Sequence, residues 1–416
     1  MADEAAGSVV DRERSGLSRS GTVRSLGVVT AGTLVANLLA YLVQLPAGRL
    51  LGPAGYGEFS VLQAAMLVLS VPALALQAVV AREVVRGAGR AQLWRLIAVV
   101  TLALAVAGVL VAAVMMPLAD VGLPSAAAAL AGAAPLAVIA GGQGLIQGAG
   151  RFGVLGLLLA LVGVARTVPI IVAVLAGGGP VAALWSGTAG SVVAAVIVGA
   201  AAHRSGSPGS GSAGSGAAGS GAAGTVDARA VLWASGVQLV VIVAVSLDLL
   251  LSRAVLSADD AGVYALGAVA TKAAFWLPQA IGVVVYPRLA DPVRSAGVLG
   301  AAVRVLAIIG LLVTLAAAVA GPLVPVLVSA DYRPVASLMW LFAGTGAMLA
   351  VLQLLLLSAI ARDRARGGLP AGAVLVVEVV LIALLAHSVL SLAIIAAVSA
   401  TLSVLLTGLW IRLASG

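Results

Sequence analysis

Four ionisable side chains stand inside stretches of this chain that are otherwise apolar: Arg166, Asp248, Lys272 and Glu378. A charge at the centre of a lipid-facing helix costs about 2.5–3.5 kcal/mol, so the four together would cost on the order of 10 kcal/mol. Such groups persist where they line a cavity or meet one another. Arg166 and Lys272, near the middle of their stretches, could offer cations to an anionic headgroup; alternatively each forms an internal ion pair with Asp248 or Glu378. Glu378 has no cation in its own stretch and is a candidate proton carrier, unless a basic residue on another helix pairs with it. Asp248 lies five residues before Arg253 and either holds a coupling ion or pairs with Arg253 at a rim. Arg49 is a further candidate cation, with snorkelling to headgroups as the alternative. Asn37, Gln77, Gln143, Gln238 and Gln353 could line a hydrophilic cavity or hydrogen-bond between helices. Pro72, Pro135, Pro169 and Pro278 interrupt apolar stretches and predict kinks, either hinges or packing adjustments.

The elements that must position these groups follow from composition. Of 416 residues, 62% are hydrophobic and 9% charged, against roughly 25% charged in an ordinary soluble domain. This excludes a soluble enzyme, a secreted disulfide scaffold and a nucleic-acid-binding domain, and leaves an all-α, polytopic membrane protein. There is no cysteine, and the two histidines, His203 and His387, lie far apart. No zinc ligand set, nucleophile motif or paired catalytic carboxylates can be assembled, so no enzyme activity, metal or cofactor is expected. Lys272 follows Thr271 and precedes Ala273, which is not a phosphate-binding loop, so the chain is not its own ATP motor.

A helix needs about 20 apolar residues to cross a bilayer core. By that measure the sequence predicts twelve spans, over 26–46, 59–82, 96–116, 126–148, 153–175 and 180–201, then 230–251, 263–286, 298–320, 336–358, 370–386 and 390–411. The least distinct division falls at His387–Ser388. Of the 23 cationic residues, 18 fall on one side of this alternation, only Arg49, Arg253 and Arg333 on the other, and Arg166 and Lys272 within spans. The positive-inside rule then places both termini in the cytoplasm, and the Ala/Gly/Val/Arg bias suggests a GC-rich bacterial genome. Trp94, Trp233 and Trp410 at one set of span ends, with Trp185 and Trp340 at the other, match an interfacial belt; Trp276 lies deep, beside Lys272.

Residues 1–25, polar and holding Arg12, Arg14, Arg19 and Arg24, read as a disordered cytoplasmic N-terminus. Residues 202–229 are a Gly/Ser/Ala run expected to be a flexible cytoplasmic linker between lobes 26–201 and 230–412. Its GxGxxG spacing is a product of low complexity. The lobes echo each other. Ala54-Gly55-Tyr56 precedes Pro72 and Arg82, while Ala261-Gly262-Val263-Tyr264 precedes Pro278 and Arg288, with ten residues from proline to arginine in both. Gln147 to Arg151 is matched by Ser358 to Arg362. With six spans each, the lobes share one orientation, so the repeat is parallel.

Arg49-Leu50-Leu51-Gly52-Pro53-Ala54-Gly55-Tyr56-Gly57, the run Gln147 to Phe152, and Asp259-Asp260-Ala261-Gly262-Val263-Tyr264 resemble bacterial polysaccharide and O-antigen flippases. These belong to the multidrug/oligosaccharidyl-lipid/polysaccharide exporter superfamily. The resemblance covers about 25–412. It implies alternating-access movement of a polyprenyl-diphosphate-linked oligosaccharide from the inner to the outer leaflet, for cell-surface polysaccharide biosynthesis. The membrane potential, with or without H⁺ or Na⁺ coupling, would drive it, and glycosyltransferases or a polysaccharide polymerase would be its partners. Lipid II flippases of the superfamily have fourteen spans, and of their early arginines only Arg24 and Arg49 have counterparts here. The alternatives are an ion-coupled drug or metabolite exporter of the same superfamily, or a non-transporting scaffold for a polysaccharide synthase.

Overall fold

A computed structural model describes residues 27–204, 236, 238–277, 295–361 and 368–413. Residues 1–26, Arg24 among them, nearly all of the Gly/Ser/Ala run, and Trp233, Pro278, Arg288 and Arg362 lie outside the described residues. The first lobe comprises α1 (Gly27–Leu50), α2 (Gly52–Val85), α3 (Arg90–Leu118), α4 (Leu123–Gly148), α5 (Phe152–Leu175) and α6 (Pro180–Arg204). The second comprises α7 (Gln238–Ala244 and Leu247–Val255), α8 (Ala258–Trp276), α9 (Ser295–Ala320), α10 (Met339–Ala361), α11 (Leu369–Leu385) and α12 (Val389–Leu413). Among the described residues, twelve helices thus fall on the twelve predicted spans, six in each lobe. By length and apolarity, nine described helices alone suffice to cross a membrane. The two halves of α7 complete a bent tenth; α8 carries Asp259, Asp260 and Lys272, and α11 is short at 17 residues.

Several helix ends differ from the apolar runs because capping, not hydropathy, sets them. The second helix begins at Gly52 rather than 59: Gly52 takes φ 68°, which lets the chain turn sharply out of α1, and Pro53 occupies the first turn, where its missing N–H costs nothing. The start of α8 is capped by Ser257, whose Oγ accepts the Asp260 N–H at 3.1 Å, with Asp259 and Asp260 in the first turn against the helix dipole. Between α11 and α12, the Ser391 Oγ accepts the N–H groups of His387 and Ser388 at 3.1 and 3.0 Å, which fixes the division the apolar pattern left least distinct. Pro72 sits just past a break in α2 at Ser70, whereas α5 runs unbroken through Pro169.

The helices most enclosed by protein are α2, α4 and α10, whereas α3 and α9 are largely lipid-facing: 72% of the α10 core window is buried against 17% for α9. Within lobes α2 packs on α4, α5 on α6, and α10 on α8, α9 and α12. Glycines permit the closest approaches. A Cβ on Gly144 would lie 2.6 Å from the Gln77 carbonyl oxygen, and one on Gly346 would lie 2.1 Å from that of Thr271.

The lobes meet through the first half of α2 and α8, with the second half of α7 beside them. One apolar core is common to both lobes at this end; it includes Tyr56, Phe59 and Leu62 from the first, and Leu249, Val263, Tyr264 and Tyr332 from the second. Towards the other end the cores separate. Leu76, Val80, Ile97 and Ile146 belong to the first lobe alone, and Phe275, Leu352 and Leu356 to the second alone. Among the described residues, then, the lobes are joined at one membrane face and part towards the other. The parted end carries Arg82, Arg86, Arg90, Arg95, Arg151, Arg204, Arg304 and Arg412, and is called the arginine face below; the joined face carries Arg49, Arg253 and Arg333.

Candidate functional site

The second lobe gathers three of the four within-span charges. The chain breaks between the two halves of α7 with a bend of 41° and no proline, so the break is not a proline kink. Ser246 sits in the break, its hydroxyl buried and without a hydrogen-bond partner. Asp248 follows in the first turn of the second half, where its carboxylate meets the positive end of the helix. Its Oδ1 accepts the Leu249 N–H at 2.8 Å, and its Oδ2 accepts the Tyr264 hydroxyl at 2.5 Å. Tyr264 is held in turn by the ring edge of Phe342 at 5.1 Å and by the tight packing of α8 on α10, where Thr271 Oγ1 donates to the Phe342 carbonyl at 3.0 Å.

Asp248 and Glu378, 5% and 4% exposed, face one cavity of about 10 Å³ within the second lobe. Thr345 of α10 and Ser399 and Ser403 of α12 complete its polar lining. That volume holds about one water-sized particle. The donor set is all oxygen, two carboxylates and three hydroxyls, with the Tyr264 hydroxyl adjoining. Such a set suits a proton or a small hard cation. Lys272 lies close enough for its charge to act on Asp248, but neither carboxylate has a cation within 4.0 Å. The internal salt bridge that the sequence allowed is therefore not formed among the described residues.

Nor is the pair of Asp248 with Arg253. Asp248 turns inwards to Tyr264, while Arg253 reaches across to the first lobe. The reason is geometric: five residues place the two side chains on different sides of a helix with 3.6 residues per turn.

In the first lobe Arg166 is half-buried on α5 with no hydrogen-bond or ion-pair partner among the described residues. Contacts lacking a Cβ set its helix. Gly163 lies against Ala36 and Gly156 against Val28 of α1, while Gly190 of α6 lies against the Ala165 carbonyl. Asn37 is exposed on α1, Gln143 is buried on α4, and Gln238 is half-buried on α7. Gln77 is an interhelical tie, its Nε2 donating to Gln147 Oε1 at 3.1 Å. Gln353 is half-buried on α10 and engaged in an interaction there. Arg49 is exposed at the joined face, apart from the other candidates.

Sequence reasoning missed Ser246, Ser399, Ser403 and Thr345, although Ser399 and Ser403, four apart in an apolar helix, share a face and were a readable signal. It also missed Glu58, half-buried on α2 and without a hydrogen-bond or ion-pair partner among the described residues, because the residue falls just outside the apolar run used to place that helix.

These features define a class: a helical membrane fold of two six-helix lobes, joined at one face, with an oxygen-lined pocket in the second lobe. Solved structures share it. The chain is similar to a multidrug resistance MATE family transporter of the MOP superfamily in its inward-facing conformation, with a TM-score of 0.71, 13% identity, and coverage of 94% of this chain and 98% of that one. It is similar to the lipid II flippase MurJ in an inward closed conformation, with a TM-score of 0.64, 9% identity, and coverage of 92% and 87%. It is similar as well to the eukaryotic MATE transporter AtDTX14, with a TM-score of 0.57, 14% identity, and coverage of 94% and 95%. No protein-family model and no curated protein matches the sequence. The fold is thus that of the MATE and MurJ structures.

Proposed function

We propose that the protein is an alternating-access transporter that moves a polyprenyl-diphosphate-linked oligosaccharide from the cytoplasmic to the outer leaflet, with the arginine face in the cytoplasm. The observation that carries this reading is the partition of the four within-span charges. Both carboxylates face the enclosed pocket of the second lobe, whereas Arg166 and Lys272 are half-buried and form no ion pair among the described residues. A cation in a membrane span that has no carboxylate partner is tolerated where water or another anion meets it. A diphosphate headgroup supplies the anion, and the parting of the lobes towards the arginine face supplies a route in from the cytoplasmic leaflet.

The inside-negative potential favours outward movement of a dianion by about 4–5 kcal/mol per 100 mV. Net flipping therefore needs no ATP. In this scheme Asp248 and Glu378, with the hydroxyls around them, take up H⁺ or Na⁺ and tie the state of the second lobe to the ion gradient.

An exporter of cationic drugs or metabolites is the second reading, favoured by the carboxylate of Glu58, which has no partner among the described residues. Depleting the protein and measuring the polyprenyl-diphosphate-linked saccharide pool by mass spectrometry separates the two. Accumulation of one full-length lipid-linked unit is expected. An unchanged pool, in cells without a redundant flippase, would remove the flippase reading and leave the exporter.

A further inference from the structure

Arg253 lies in the last turn of α7, and among the described residues its side chain makes no hydrogen bond or ion pair within its own lobe. Its Nε donates to the Ala119 carbonyl at 2.6 Å, its Nη2 to the Asp120 carbonyl at 3.1 Å and its Nη1 to the Ala54 carbonyl at 3.2 Å. All three acceptors belong to the first lobe. Ala119 and Asp120 follow the last residue of α3, Leu118, where carbonyls have no partner in their own helix and a cation complements the helix dipole. Asp120 takes φ 46°, a left-handed conformation rare for a residue with a side chain, and its carbonyl is one of the three offered to Arg253.

Two further ties cross at the same face. Tyr332, between α9 and α10, donates its hydroxyl to the Gly48 carbonyl at 3.0 Å and sets its ring edge-on to Tyr56 at 6.2 Å. Gly57 and Gly262 bring α2 and α8 into backbone contact. Each tie runs from the second lobe to the first, and each lies where the lobes share one apolar core.

We propose that Arg253 is the clasp of the joined face: it caps α3 from the opposite lobe, holds that face shut while the arginine face is open, and must release all three carbonyls when the lobes exchange states. Tyr332 is the weaker second catch. The fork of an arginine suits this task because its five donors lie in one rigid plane, and a lysine would keep the charge without the fan of bonds. The inference rests on the alternating-access part of the proposed function and adds the group that gates it.

The chain has no cysteine, so spin labels can be placed without a background. Leu123→Cys at the start of α4 and Asp259→Cys at the start of α8 are exposed on the joined face, one in each lobe. Pulsed electron–electron distances between them, in full-length protein in lipid nanodiscs, report how often that face opens. Arg253→Ala is expected to raise the ratio of open to closed about tenfold, the loss of one group's worth of charge-assisted bonds at a partly hydrated site. Arg253→Lys should give a smaller rise, and Tyr332→Phe a smaller one again. If Arg253→Ala does not fold, Arg253→Lys and Tyr332→Phe carry the test with the same readout. A purely structural arginine would lower thermal stability and leave the distance ratio where it was, and that result overturns the clasp. A positive lipid-pool result with unmoved distances removes the clasp alone. Moved distances with an unchanged pool keep the clasp and remove the flippase reading.

Discussion

Gly262→Ala should act as a wedge, and its effect can be worked from the backbone. A Cβ at Gly262 would stand 1.8 Å from the Pro53 carbonyl oxygen and 2.3 Å from its carbon. A carbon and an oxygen rest at about 3.3 Å or more, so the helices must part by roughly 1.5 Å at this crossing. The obstacle is backbone on α2, not a side chain that can rotate away. Overpacking of this kind costs about 1–3 kcal/mol. The cost falls only on the state in which α2 and α8 touch; once the joined face opens, the added methyl meets nothing. The equilibrium should shift towards opening by about 5–150-fold. Ser252→Cys, a near-isosteric change at a fully buried position of α7, gives the assay. Labelling by a membrane-impermeant maleimide should accelerate by that factor in Gly262→Ala. It should be unaffected by Gly372→Ala, where an added Cβ would meet nothing within 4 Å. Equal labelling rates in folded Gly262→Ala and its parent would show that the contact of α2 with α8 does not hold the joined face closed.

Other consequences follow from the two lobes. Arg166→Ala and Lys272→Ala should each weaken the apparent affinity for a diphosphate-linked lipid about 10- to 100-fold, the loss of one charge-assisted contact, as read from concentration-dependent flipping at unchanged expression. Asp248→Asn and Glu378→Gln should leave the helical content intact and abolish the response of transport to an imposed H⁺ or Na⁺ gradient; an undiminished response would remove the pocket from coupling. Tyr264→Phe strips a donor from a buried carboxylate and should lower thermal stability by about 1–3 kcal/mol. Gln77→Ala, which breaks only the tie to Gln147, should cost about 0.6 kcal/mol in a detergent unfolding titration.

Much of this architecture is legible in the sequence because the bilayer leaves the chain so few options. Backbone polar groups in hydrocarbon must be satisfied locally, so apolar length reports helices directly. What length does not report is where a helix is stopped by a cap. Gly52 with Pro53, and Ser257 with Asp260, begin their helices before or at the edge of the apolar runs, and hydropathy is blind to both. The four charged positions are visible for the same reason the helices are: each violates the apolar background. Their partners are not. Asp248 chose a tyrosine sixteen residues later over the arginine five residues on, because the bend in α7 and the packing of α8 on α10 decide which side chain it meets. Arg253 reads as one more rim cation until the lobes are assembled around it. Glu58 was hidden by lying at the edge of a helix whose start was misplaced.

The proposed function requires that the cargo carry an anionic lipid headgroup. The most direct test reconstitutes the full chain in liposomes with a short polyprenyl-diphosphate-sugar probe and follows its leaflet of residence under an imposed membrane potential. Flipping that depends on the protein, runs towards the positive side, and falls in Arg166→Ala and Lys272→Ala is the predicted result. A probe that stays in its leaflet, while the same liposomes move a cationic dye against an ion gradient, would contradict the account and establish the exporter in its place.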